Sequence, residues 1–177
     1  MNSLYPEILF HFTTKDGFFN ILKDTFKVSY ASEQICGDEK STEFLVPMVS
    51  FCDLKLSEVK GHMKKYGKFG IGLSKEWANR EGLNPVFYVN KDSHFTSNLI
   101  NTIEKLSNHI SSTNDNDEDK SISEEYMDIF NISRYIKNYQ GILTRKNKPI
   151  VNDYRFADER EWRYVPEVNN TRINLYL

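Results

Sequence analysis

The residues in this chain best suited to chemistry are two acids and a cation in the run Phe156-Ala157-Asp158-Glu159-Arg160-Glu161-Trp162-Arg163-Tyr164-Val165-Pro166. Alternate side chains of an extended segment share a face, so Glu159, Glu161 and Arg163 are expected to project one way and Arg160, Trp162 and Tyr164 the other. Two acids beside a cation suit recognition of ribose hydroxyls and stabilisation of developing positive charge. The aromatic pair implies that the opposite face is packed, which would make the strand a fixed platform. The competing reading is a solvent-facing salt-bridge ladder, common on edge strands.

Two further groups stand out. His11 closes the apolar run Leu9-Phe10-His11-Phe12 and is followed by Thr13-Thr14. A strand that opens into a helix N-terminus is a natural anion or ribose site, because free backbone N–H groups and a neutral imidazole can both bond there. The alternative is a core histidine bonded to a backbone carbonyl. His62 and Tyr66 stand one helical turn apart, ahead of Gly67-Lys68-Phe69-Gly70. Their rings are expected to stack, and the glycines let a ligand or another backbone approach closely. The alternative here is a tight helix-to-strand turn lined by core aromatics.

Other chemistries lack their signatures. There is no GxGxxG and no Walker lysine, so Rossmann and P-loop dinucleotide binding are unsupported. GxSxG and HExxH are absent, and His11, His62, His94 and His109 show no metal-ligand spacing, so no metal is expected. Cys36 and Cys52 fit neither a zinc site nor a disulfide framework and read as reduced thiols. Nothing in the sequence marks Cys52 and His62 as a thiol dyad.

These residues need a scaffold, and 177 residues with 39% apolar content are enough for one domain spanning 1–177. Lys+Arg 23 against Asp+Glu 25 leaves no global basic field, and hence no broad nucleic-acid surface. A nucleotide ligand would need only a few local cations. Without a basic leader or an apolar run of about 20 residues, no membrane partner is expected and a soluble, cytoplasmic protein is.

The elements that would position the groups follow from periodicity and punctuation. Glu7–Phe12 reads as a buried strand, and Thr13 or Thr14 caps a helix over Lys15–Asp24. Residues 29–44 read as a loop or lid. Val46–Cys52 reads as a strand that starts at an edge, because of Pro47. Ser57 caps a helix to about Tyr66, Phe69–Leu73 is a strand, Ser74 caps a short helix through Ala78, and Pro85–Val89 is a buried strand. Ser93–Ile110 is one amphipathic helix. The polar stretch 111–121 reads as a mobile loop leading into a helix that Ser121 and Glu124 would open and that runs to about Tyr139. Gly141–Thr144, Arg163–Val165 and Arg172–Leu177 are strand candidates. Strands bracket the chain and helices lie between them, which predicts an α+β fold with a mixed, mostly antiparallel sheet and a helical insertion at about 93–140.

Three blocks carry a family resemblance: LFHFT with its following helix, PMVSFCDLKLSEVKGHMKKYGKFGIGLSKEWA, and FADEREWRYVP. Together they resemble the bacterial abortive-infection family AbiGi, whose members are linked to phage resistance and described as antitoxins. More distantly, the order of a His on the first strand, an aromatic after a middle helix and a Glu on a late strand resembles ADP-ribosyltransferase-like domains. That resemblance implies NAD as substrate, with His11 and Thr13 holding it, Tyr66 packing on nicotinamide, and Glu161 on the ribose hydroxyl. Glu159 would orient the acceptor, and Arg163 would join the nucleotide-binding face. VSFCD stands where toxin members of that group carry a Ser-Thr-Ser strand motif.

Two functions are therefore expected, from different classes. One is an ADP-ribosyltransferase-like phage-defence protein that binds NAD or a related nucleotide and transfers ADP-ribose. The other is a non-catalytic antitoxin-type protein that binds a cognate toxin or a phage component.

Overall fold

The computed structural model describes residues 6–112, 117–145 and 149–167, and they fold as α+β with mostly antiparallel strands. The chain divides into two compact units. One comprises residues 1–31, 45–86 and 157–177, and the other 32–44 and 87–156. Among the described residues no helix is long and apolar enough to cross a membrane.

The first unit is built on a sheet whose strand order is β4-β1-β3-β10-β5. Its members are β1 (Ile8–Thr13), β3 (Ser41–Cys52), β4 (Phe69–Ser74), β5 (Asn84–Pro85) and β10 (Glu161–Tyr164). Strand β2 (Ser29–Cys36) folds back on β3, and the turn between them is closed by Gly37 N donating to Lys40 O at 2.7 Å. The stretch 29–44, read from sequence as a loop or lid, is thus a hairpin. Its strands alternate exposed and less exposed residues, so their polarity belongs to an outer face and not to a loop. Pro47 lies inside β3, just before Val49–Cys52 pair with β10, so it does not mark the start of an edge strand.

Helices α1 (Lys15–Asp24) and α3 (Lys75–Arg80) open on the expected caps, with Thr14 Oγ1 accepting from Gly17 N and Ser74 Oγ from Trp77 N, each at 3.1 Å. Ile21 of α1 and Trp77 and Ala78 of α3 pack with Leu9, Phe26, Val28, Val49, Phe51 and Leu83 on one face of the sheet. Trp162 and Tyr164 join the same core. Helix α2 (Val59–Tyr66) covers the other face, where Val59 and Met63 meet Phe10, Phe12, Cys52 and Leu54. Its N-cap is Glu58, without a side-chain bond, so Ser57 does not cap it. Gly67 ends it at φ 133°, donating to Met63 O at 3.0 Å. A Cβ there would stand 2.0 Å from the Thr13 carbonyl oxygen, so only glycine fits this turn.

The two glycines of β4 have a local cause. Gly70 and Gly72 pair with Phe12 and Phe10, and a Cβ on Gly70 would lie 2.9 Å from the Phe12 ring. The room that these glycines leave on the sheet face is filled by the chain's own aromatics.

The second unit holds β6 (Phe87–Val89) paired in parallel with β7 (Ile136–Asn138), β8 (Gln140–Leu143) antiparallel to β9 (Val151–Arg155), and helices α4 (His94–Ser112) and α5 (Asp117–Ser133), which pack together. Ile35, Val89, Ile100 and Ile136 form its core. The buried Asn138 amide pairs with the Cys36 peptide in both directions, Oδ1 accepting at 2.7 Å and Nδ2 donating at 2.8 Å. Pro85–Val89, expected as one strand, is two short ones, β5 and β6, interrupted at Val86. Helix α5 begins before Ser121 and stops at Ser133, so that its expected last turns are the strand β7. Within the expected loop 111–121, residues 113–116 lie outside the described residues, as does the candidate strand Arg172–Leu177.

Candidate functional site

The late charged run is not one strand. Phe156–Glu159 form a single 3-10 turn, Arg160 sits at φ 45°, and only Glu161–Tyr164 are extended. From Glu161 onward the alternation holds, with Trp162 and Tyr164 on the packed face and Glu161 and Arg163 opposite. That second face is not presented to solvent. It lies in the layer between the sheet and α2, where Glu161 is 6% exposed and Arg163 0%.

Two buried charges need each other. Arg163 Nε donates to Glu161 Oε1 at 2.7 Å, and Nη2 stands 3.4 Å from Oε2. Register brings Ser50 opposite Arg163, and Ser50 Oγ lies 2.9 Å from Glu161 Oε1 and 3.4 Å from Met48 Sδ. A hydroxyl has one proton to give, and the carboxylate is the stronger acceptor. Glu161 is thus neutralised and held from two directions.

Glu159, 4% exposed at the end of the 3-10 turn, accepts from the Tyr66 hydroxyl at 2.7 Å. Tyr66 and His62 stack as their helical spacing predicted, with ring centroids 4.4 Å apart, and His62 also meets Phe12 at 5.5 Å. Among the described residues, His62 Nδ1 is buried without a hydrogen-bond partner. Burial is the main cause that lowers the His62 pKa; Glu159 pulls it up, Lys65 pushes it down, and Glu161 and His11 act more weakly in the same two senses.

Next to this group, Asp53 directly follows β3 and is itself buried. Its Oδ2 takes Lys75 Nζ at 2.9 Å and Arg160 Nη2 at 3.4 Å, while the Arg160 Nε donates to the Asp53 carbonyl at 2.9 Å. The Asp53 N–H returns a bond to Arg160 O at 3.0 Å. This clamp explains the left-handed turn at Arg160, and with it the change of direction between Glu159 and Glu161. Cys52, between the two clusters, has its thiol pushed up to about 12 by burial first and then by Glu159 and Asp53. A thiol in that setting is not a nucleophile.

His11 and Thr13 lie elsewhere. Phe10 pairs with Cys52, which pairs with Glu161, so these three share a face and His11 belongs to the other one. There its ring meets Phe26 at 5.3 Å and Phe51 at 5.7 Å edge-on. Its Nδ1 stands 2.8 Å from Ser50 O, and since a carbonyl only accepts, Nδ1 carries the proton. Burial lowers its pKa more than this bond raises it. It is a core histidine on a backbone carbonyl. Thr13, on the same side of β1, crowds the first turn of α1, where a Cβ on Gly17 would come 2.3 Å from its Oγ1. The structure therefore brings Tyr66, Glu159, Glu161 and Arg163 to the α2 side of the sheet and leaves His11 and Thr13 on the α1 side.

Sequence reasoning gave no role to Asp53, Lys75, Ser50 or Arg160. The only signal was the position of Asp53 directly after a buried strand, where an unpaired acid would be costly. Chemically the arrangement is a set of paired carboxylates, two tied to cations and one to a phenol, with Asp53 Oδ1 buried and unbonded among the described residues and Tyr66 at 37% exposure the most accessible member.

A family model described as "Putative abortive phage resistance protein AbiGi, antitoxin" matches residues 23–175, a range that takes in Tyr66, Glu159, Glu161 and Arg163 and begins after His11 and Thr13. The chain is similar to the abortive phage resistance protein AbiGi of Lactococcus lactis subsp. cremoris, with 30% identity over 144 residues, 76% of this chain and 57% of that relative. It thus spans little more than half the length of the curated relative it matches. No solved structure matches it.

Proposed function

The chain belongs to the AbiGi family of abortive phage-resistance proteins, and from that premise we propose that it is a cytoplasmic antitoxin of a phage-defence system, acting without catalysis by holding a cognate toxin. The observation that carries this reading is the burial of the Glu161–Arg163 pair, at 6% and 0% exposure. The strand with the most reactive composition spends its charges on its own fold, and the family's description as an antitoxin agrees with that use. Expression of the product of the adjacent gene with and without this chain tests it. Rescue of growth together with co-purification at a fixed ratio is expected. Toxicity of this chain expressed alone would overturn the reading.

One observation favours a second reading, an ADP-ribosyltransferase-like fold binding NAD or a related nucleotide and transferring ADP-ribose. The Tyr66 hydroxyl reaches Glu159, joining the ring that would pack on nicotinamide to the acid that would orient an acceptor. On that reading the Glu161 carboxylate binds the ribose hydroxyl and stabilises the developing positive charge, and His11, Thr13 and Arg163 assist binding. It asks His11 and Glu161, on opposite faces of the sheet, to serve one ligand, and so we rank it second. Release of nicotinamide from NAD by the purified protein, lost in Glu161→Gln, is the outcome it requires.

A further inference from the structure

The sheet of the first unit ends at β4, and the ladder shows which of its backbone groups face outward. Lys75 N donates to Glu7 O at 2.9 Å, in register with the β1–β4 pairs. In an antiparallel ladder, bonded and non-bonded pairs alternate. Leu73, Ile71 and Phe69 therefore bond inward to Leu9, His11 and Thr13. Ser74, Gly72 and Gly70 turn their N–H and C=O groups to the free edge. Both glycines are exposed, and no other strand pairs with β4 among the described residues.

Natural edges are blunted by a proline, a bulge or an inward-facing charge. Strand β4, Phe-Gly-Ile-Gly-Leu-Ser, has none of these, and its six pairs with β1 run without a register shift. Beside it stands an apolar ridge. Phe69 is 38% exposed, its ring lies 5.8 Å from Phe18, and Phe18 meets Phe19 at 5.6 Å. Phe19 and Leu22, one turn apart on α1, are 54% and 63% exposed. Lys64 and Lys68, at the entry to β4, are exposed and form no ion pair among the described residues.

We propose that β4 is the docking edge for the toxin. An extended segment of the toxin adds beside β4 as a further strand, its backbone bonding to Gly70 and Gly72. Its apolar alternate residues lie against Phe69, Phe19 and Leu22, and an acidic residue sits near Lys64 and Lys68. Glycine suits this edge because no side chain hinders the incoming backbone. The inference rests on the antitoxin reading above and names the surface that reading needs.

Amide hydrogen exchange on the chain alone and with the purified product of the adjacent gene tests it. Free, the Gly70 and Gly72 amides should exchange fast and those of Ile71 and Leu73 slowly. In the complex the two glycine amides should slow at least tenfold, and Phe19→Asp with Leu22→Asp, both on an exposed helix face, should weaken binding at least tenfold. A complex that leaves Gly70 and Gly72 unprotected overturns the docking edge while sparing the antitoxin reading. Failure to form any complex overturns both. Protection that rises with the concentration of the chain alone assigns the edge to a second copy and overturns the toxin as occupant.

Discussion

Arg163, with no exposed surface, holds Glu161 from two residues away on the same strand, its Nε 2.7 Å from the carboxylate. Neither charge could sit in this layer alone. Replacing Arg163 with Met removes the nearest opposite charge from a buried carboxylate, and should cost about 3–5 kcal/mol of stability. Glu161→Met should cost a similar amount by leaving the guanidinium in excess. The double replacement Glu161→Met with Arg163→Met should recover much of the loss. Urea unfolding of the four proteins is the check, and a double variant no better than the sum of the singles would speak against a self-contained pair.

The two histidines predict a pH dependence. His11 and His62 both have pKa values below the ordinary 6.5, and for both the largest cause is burial. The unfolded chain therefore binds more protons than the folded one below about that pH. Their contribution to stability is complete above 6.5 and falls as pH drops through 6.5 toward the lowered values. The urea midpoint should decline between pH 7.5 and 5.5. His62→Phe, which keeps a ring against Phe12 and Tyr66, should make that decline shallower, and an unchanged slope would remove His62 from the account.

Two glycines at either end of one stretch should respond oppositely to alanine. At Gly67 the φ of 133° and a Cβ only 2.0 Å from Thr13 O leave no room, and Gly67→Ala should cost at least about 1–3 kcal/mol. Gly61 lies inside α2 with nothing within 4 Å of its Cβ position. Gly61→Ala should stabilise the protein by about 0.5–1 kcal/mol. Thermal melts of both variants decide it.

Patterns that depend on neighbours in sequence were legible. The Thr14 and Ser74 caps, the amphipathic α4 and the His62–Tyr66 stack follow from spacing alone. So does the two-sided alternation from Glu161 to Tyr164. What escaped was set by contacts distant in sequence. The hairpin 29–44 is polar because one side faces outward, and only its pairing tells it from a loop. The turn at Arg160 depends on Asp53, and the burial of Glu161 on Ser50 and Arg163. His11 illustrates the limit most clearly. Its strand is legible in the apolar run, but the face it serves depends on the Phe10–Cys52 and Cys52–Glu161 pairings, which no local pattern encodes.

The position of β10 in the sheet also has a consequence for how the chain is made. Strand β10 is the last of the described strands to be synthesised, yet it lies between β3 and β5, and it brings Trp162 and Tyr164 to the first unit's core. Until it leaves the ribosome, Val49–Cys52 have no β10 to pair with and Ser50 has no carboxylate to bond. Pairing of β10 with β3 therefore waits on closure of a loop of more than a hundred residues, the kind of topology that folds slowly. During that interval the half-built sheet is the species most exposed to proteases and chaperones.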